Sequence, residues 1–130
     1  MIIIARKQWR TAVYLRLSKE DTHWQEESNS IQNQKNLALT YLAKHSTELK
    51  LSGIYIDDGS SGTDIDREGF QQLLTDIAAK KIDCVIFKDL SRLSRNYAQA
   101  GYLLDEYFVR HQIRYISLMN PAIDSWKDKN

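Results

Sequence analysis

One cysteine, one proline and five glycines among 130 residues exclude several classes of protein. Cys84 alone can form no disulfide within the chain and no cysteine-rich metal site, and its place inside the apolar run Ile82 to Phe87 marks a buried, inert thiol. No apolar run approaches the roughly 18 residues that a membrane span requires, so a soluble protein is expected. Met1 to Ala5 is apolar but too short for a signal peptide, and basic residues follow it instead of preceding it. The expected location is therefore cytoplasmic. An excess of one charge is also lacking: 18 Lys and Arg against 17 Asp and Glu give a net +1. That is too balanced for a domain that holds nucleic acid by bulk charge, so any phosphate chemistry must use locally focused arginines. The histidines, His23, His45 and His111, are scattered, and a Ser-His-Asp arrangement would need the fold to collect them.

What is present reads as one α/β domain. A chain with 42% hydrophobic and 27% charged residues has room for a single core. Thr11 to Asp21 reads as a strand: Val13, Leu15 and Leu17 alternate with Tyr14, Arg16 and Ser18, so the polar trio shares one face and Arg16 emerges beside Ser18. Taken alone, that face is the wet side of an edge strand. Residues 1–11 form a leader, flexible or adding a short strand, and residues 126–130 a polar tail. Ser30 caps a helix running to about Ser46, with Gln34 projecting from its first turn. A second strand, Leu51 to Asp57, enters the turn-rich loop Asp58 to Asp64, and Asp66 is positioned to cap the next helix, whose apolar stripe is Phe70, Leu73, Leu74, Ile77 and Ala78.

Ile82 to Phe87 is a continuous apolar run with β-branched residues, as in a central strand covered on both faces. Immediately after it, Lys88 to Asn96 turns polar and basic, with Arg92 and Arg95 three apart. A helix with Leu103, Leu104, Tyr107, Phe108 and His111 on its inner side and a last strand from Arg114 to Leu118 follow. Alternating strands and helices give a three-layer, mostly parallel sheet of four or five strands with helices on both faces. In such sheets ligands bind beyond the carboxyl ends of the strands. Arg16 with Ser18, the Asp57 to Thr63 loop, and Arg92 with Arg95 all fall there, and Arg67 lies beside that loop. Several arginines around one hydroxyl suit phosphoryl transfer, because guanidinium groups donate paired hydrogen bonds to phosphate oxygens.

Tyr14-Leu-Arg-Leu-Ser18, Ser30-Ile-Gln-Asn-Gln34, Asp57-Asp-Gly-Ser-Ser-Gly62, Asp66-Arg67 and Lys88-Asp-Leu-Ser-Arg92 followed by Arg95 resemble the ordered motifs of the serine recombinase (resolvase/invertase) catalytic domain. The form is similar to the large serine recombinases and transposon site-specific recombinases, over residues 12–125. The resemblance implies that Ser18 attacks a DNA phosphodiester, forms a 5′-phosphoserine linkage and frees a 3′ hydroxyl, without metal, ATP or another cofactor. It implies phosphate-binding roles for Arg16, Arg67, Arg92 and Arg95, a positioning role for Gln34, and an arginine-orienting role for Asp57 or Asp58. It further implies a bacterial protein with DNA as partner, a dimer at one site and a tetramer in the synapse.

Two departures stand beside this match. Small resolvases place an aspartate directly before the first arginine of the third motif; here Ser91 stands there, with Lys88 and Asp89 just upstream, which leaves the donor of the leaving-group proton open. The family's oligomerisation helix and DNA-binding domains are absent from these residues, so the chain is expected to be a catalytic domain alone, excised or truncated. Two other readings stay open: a metal-dependent phosphoryl transfer enzyme with Mg²⁺ on Asp57, Asp58, Asp64 and Asp66, and a non-catalytic oligomerisation module.

Overall fold

The alternation of β-branched runs with helical stripes becomes, in the computed structural model, one five-stranded sheet with helices on both faces. Residues 8–17, 30–57, 67–94 and 96–128 are described, with the backbone alone at Tyr97. β1 (Trp9–Arg16), α1 (Ile31–Lys44), β2 (Leu49–Asp57), α2 (Glu68–Ala78) and β3 (Cys84–Phe87) lead into a 3-10 turn, Leu90–Arg92. α3 (Tyr97–Tyr102) then passes through a π-helical stretch, Leu103–Tyr107, into α4 (Phe108–Arg110), followed by β4 (Arg114–Ser117) and β5 (Ile123–Asp124). The strand order is β2-β1-β3-β4-β5; the first four strands are parallel and β5 runs antiparallel to β4. The expected mostly parallel, three-layer arrangement is what the chain adopts, and β3 is its middle strand, buried at all four residues.

Each face of the sheet has its own core. Val13 and Leu15 of β1, with Cys84, Ile86 and Ile116, pack against Ala38 and Leu42 of α1. Ala12 and Tyr14, with Val85 and Phe87, pack on the other face against Phe70, Leu73 and Ile77 of α2 and against Leu103 and Phe108. β1 therefore lies between β2 and β3 and is covered on both sides, which corrects the reading of Arg16 as part of the wet face of an edge strand; Ser18, read with it, lies outside the described residues. Tyr14 is 0% and Arg16 3% exposed. The physical reason is that the polar side chains of this face meet polar partners at the end of β2, at the N-cap of α2 and in the turn after β3, so alternation does not here mean solvent. His111 is a second correction: it follows the end of α4 and is exposed, its ring against Tyr107 at 4.4 Å between centroids, not on the inner side.

α1 starts where expected, with Ser30 Oγ accepting from the Asn33 N–H at 3.1 Å. α2 is capped from a distance. Arg67 occupies its N-cap position without a side-chain capping bond, and the carboxylate of Asp57, at the end of β2, accepts from the N–H groups of Gly69 at 2.8 Å and Phe70 at 3.0 Å. Asp66, the expected cap, lies outside the described residues.

At the opposite edge of the sheet the chain is tied by charge. Arg114 Nε and Nη2 donate to Asp124 at 2.9 and 2.5 Å, and Nη2 also donates to Glu48 at 2.8 Å. β1 begins at Trp9, inside the stretch set apart as leader, and the Trp9 ring lies 5.1 Å from that of Trp126, inside the stretch set apart as tail. Cys84 is fully buried, and burial pushes its thiol up to about 12. Among the described residues no helix is long and apolar enough to cross a membrane.

Candidate active site

Because β1, β2 and β3 are parallel neighbours, their carboxyl ends at Arg16, Asp57 and Phe87 share one edge of the sheet. Residues from three elements converge there on one backbone oxygen. The carbonyl of Arg92, in the turn after β3, accepts from Arg16 Nε at 2.9 Å and from Arg67 Nη2 at 3.2 Å. Arg16 Nη2 also donates to the Ser91 carbonyl, and Arg92 Nη1 donates to the Arg16 carbonyl at 2.9 Å. Burying a charged group is costly unless it is hydrogen-bonded. All three arginines are buried, and these carbonyl oxygens hold them in place without cancelling their charge.

Gln34 reaches this edge from α1. Its Oε1 accepts from the Arg16 N–H at 3.2 Å and its Nε2 donates to the Arg16 carbonyl at 3.0 Å, so the amide extends the strand's hydrogen bonding where β1 ends. Leu17, the next residue, donates its N–H to the Asp57 carbonyl at 2.9 Å. Asp57 accepts a third bond besides the two from α2: Tyr14 Oη donates to its Oδ2 at 2.6 Å. The same hydroxyl oxygen accepts from Arg67 Nε at 3.2 Å and Nη2 at 3.1 Å, while the Arg67 guanidinium lies 4.1 Å from the centre of the Phe70 ring.

On the other side of the arginines, Asp89 opens the 3-10 turn. Its Oδ1 accepts from the Ser91 N–H at 3.1 Å and from Ser91 Oγ, and lies 3.5 Å from Arg92 Nε. A carboxylate thus stands beside Arg92 although the residue directly before it is a serine. Lys88 is buried at the start of this segment, where its carbonyl accepts from the Met119 N–H at 2.9 Å.

Of the expected site residues, Arg16, Gln34, Asp57, Arg67, Arg92, Asp89, Ser91 and Lys88 are thus placed along one edge. Ser18, Asp58 and Arg95 lie outside the described residues, as do Asp64 and Asp66 of the metal alternative. Sequence reasoning missed two parts of the arrangement. One is the Arg92 carbonyl, a backbone atom that no residue pattern marks. The other is Tyr14, whose place in step with Arg16 was the available signal. The chemistry open to this edge is the binding of an anion with several oxygens, since guanidinium donors from separate elements are fixed around one point.

Residues 11–129 match the family model described as the N-terminal domain of resolvase. The N-terminal catalytic domain of TP901-1 integrase superposes with a TM-score of 0.76 at 34% identity, over 90% of this chain and 82% of that one. A resolvase family site-specific recombinase from Streptococcus pneumoniae gives 0.76 at 28% identity, over 94% of this chain and 79% of that one. The catalytic domain of ISC1926 TnpA, an IS607-like serine recombinase, shares the fold at 21% identity, with a TM-score of 0.66 over 85% of this chain and 70% of that one. No curated protein matches the chain.

Proposed function

The chain belongs to the resolvase family as a serine recombinase catalytic domain, and on that basis we propose that it cleaves and rejoins DNA through a covalent bond to Ser18. Ser18 follows Arg16 by two residues in the sequence, and Arg16 is the last residue of β1. In the proposed step Ser18 Oγ forms a bond to a DNA phosphorus, its proton passes to a base, and the bond from phosphorus to the 3′ oxygen breaks as that oxygen takes up a proton. A 5′-phosphoserine ester and a free 3′ hydroxyl result. The ester keeps the energy of the phosphodiester, so the reverse step rejoins DNA without ATP. A serine hydroxyl is a weak nucleophile at neutral pH, and the charge growing on the phosphoryl oxygens needs fixed donors. Arg16, Arg67, Arg92 and Arg95 are those donors, and arginine stays charged at any working pH.

The observation that carries this reading is the convergence of Arg16 and Arg67 on the Arg92 carbonyl at the edge where β1 ends. Asp57 and Gln34 hold the surrounding backbone, and Asp89 is the carboxylate beside Arg92. A Mg²⁺ site on Asp57 is disfavoured because its oxygens already accept from two N–H groups and one hydroxyl. The reaction needs no metal in this proposal. DNA is the substrate and partner, two copies engage one site and four form the synapse, in the cytoplasm of a bacterium.

The test is mass spectrometry of protein trapped on a nicked duplex carrying its recombination site. A DNA adduct on Ser18 that forms in the presence of EDTA is expected, and Ser18→Ala should abolish it while leaving the folded domain intact. An adduct on another residue, or cleavage that depends on Mg²⁺ without any adduct, would overturn the proposal.

A further inference from the structure

Tyr14 has no role in the reaction just described, yet its hydroxyl joins more of the site than any residue pattern implies. The ring is 0% exposed and packs edge-on against Phe70 at 5.3 Å. Its hydroxyl has one proton, and that proton goes to Asp57 Oδ2 at 2.6 Å, which fixes the orientation of the oxygen lone pairs. Arg67 meets those lone pairs with two nitrogens at once, Nε at 3.2 Å and Nη2 at 3.1 Å. Asp57 cannot turn to follow another partner, because its two oxygens also hold the first-turn N–H groups of α2. The line from α2 through Asp57 and Tyr14 to Arg67 is therefore braced at each joint.

We propose that Tyr14 is a positioning residue for Arg67, its hydroxyl locking one edge of that guanidinium so that the remaining nitrogen is presented at a fixed place to the phosphodiester. The inference rests on the phosphate-binding role proposed for Arg67. Among the described residues Arg67 Nη1 makes no hydrogen bond, whereas Nε and Nη2 are both engaged. Phe70 covers a face of the guanidinium at 4.1 Å, which limits tilting, and the hydroxyl limits rotation in the plane. Burial pushes the Tyr14 hydroxyl well above the ordinary tyrosine range, and the bond to Asp57 adds to the rise against the opposing charge of Arg67. The phenol thus stays protonated at working pH and remains a donor to Asp57. A neutral hydroxyl between carboxylate and guanidinium holds the arginine without drawing it into a direct ion pair. The donors on Nη1 thus stay available to a phosphate.

The test has two arms. In the 130-residue chain labelled with ¹⁵N, Tyr14→Phe should move the Arg67 Nε–H resonance and speed its exchange with water, while the Arg16 Nε–H, which donates to the Arg92 carbonyl, stays unchanged. On a duplex carrying the recombination site, Tyr14→Phe should slow cleavage by about tenfold to a hundredfold, the range expected when a reacting group is slightly misplaced. Added to Arg67→Ala it should slow cleavage no further. Asp57→Asn, which removes the acceptor of the Tyr14 proton, is the second variant and should move the same Arg67 signal if Tyr14→Phe does not fold. An unmoved Arg67 resonance, or losses that multiply in the double variant, would overturn the inference. Normal cleavage by Arg67→Ala would overturn it together with the role of Arg67. Absence of any Ser18 adduct in the unaltered protein would instead sink the proposed reaction, with the resonance arm still reporting on the Tyr14 contact.

Discussion

Arg16 and Arg92 hold each other by reciprocal bonds: Arg16 Nε donates to the Arg92 carbonyl at 2.9 Å, and Arg92 Nη1 donates to the Arg16 carbonyl at the same distance. Each side chain thus fixes the backbone from which the other projects. A site built this way resists small displacements, because moving either residue breaks bonds at both.

The first prediction follows from that reciprocity. Arg16→Ala and Arg92→Ala should each slow cleavage by on the order of a hundredfold or more, the usual cost of losing one transition-state donor. The double variant should lose less than the product of the two, since each single change already releases the other residue. Single-turnover cleavage of the three variants checks this, and strictly multiplicative losses would contradict the mutual lock.

Gln34 carries the second prediction. Gln34→Leu keeps the volume near the end of β1 but leaves the buried Arg16 N–H without its acceptor, while the Arg16 carbonyl still receives Arg92 Nη1. One orphaned buried donor costs about 1–3 kcal/mol. Urea unfolding should show that loss, and cleavage by the folded fraction should fall as well. A variant as stable as the parent would mean that the Gln34 contact is not sustained in solution.

A third concerns Gly69, in the first turn of α2. Alanine is normally the better helix former by about 1 kcal/mol, but a Cβ here would stand 2.7 Å from the Ile56 carbonyl oxygen and 3.1 Å from Asp57 Oδ1. Backbone cannot yield as a flexible side chain does. Gly69→Ala should therefore lower the melting temperature, reversing the usual sign, and should weaken cleavage by displacing the Asp57 cap. An increase in melting temperature would show that α2 and β2 are not packed this closely.

The fourth is a dependence on acid. Burial alone would raise the Asp124 carboxyl, but its hydrogen bonds to Arg114, with the Trp126 N–H, outweigh that and hold it below its ordinary 3.8. A carboxyl lowered by folding contributes stability that is present above its unfolded value and lost as pH falls through the folded one. Glu48 follows the same sign: burial alone would raise its carboxyl, but Arg114 and Lys127 together outweigh that and hold it down. Urea midpoints should thus decline as pH drops below the ordinary carboxyl range, and Asp124→Asn should be less stable at neutral pH with a flatter decline. An unchanged slope in that variant would remove Asp124 from the account.

The fold was legible where one residue type repeats. The unbroken apolar run at Cys84–Phe87 could only be a covered strand, and the stripe from Phe70 to Ile77 could only be a helix on the sheet. What stayed hidden depends on partners far apart in the chain. Tyr14 and Arg16 alternate with apolar neighbours as an exposed face would, and their burial comes from Asp57, Arg67 and Arg92, 43 to 76 residues away. Arg114 reads as an ordinary basic residue at the start of a strand until Asp124 and Glu48 are brought to it. β5 has only two residues, too few for any period. The candidate site was legible as a set of arginines at strand ends, because alternation of strands and helices makes the strands parallel and gathers their carboxyl ends on one side, whereas the atoms that hold those arginines are largely backbone carbonyls and leave no trace in residue identity.

The place of β1 between β2 and β3 sets an order of events during synthesis. This strand is made early, yet the slot it occupies exists only once Cys84–Phe87 has been added, and Arg16 finds its acceptors only when Ser91 and Arg92 emerge after that. Closing so long a loop must come before its contacts repay it. The arginine cluster proposed to act on DNA is thus assembled only after β3 and the turn behind it have joined the sheet, and a molecule folded only as far as β2 lacks it.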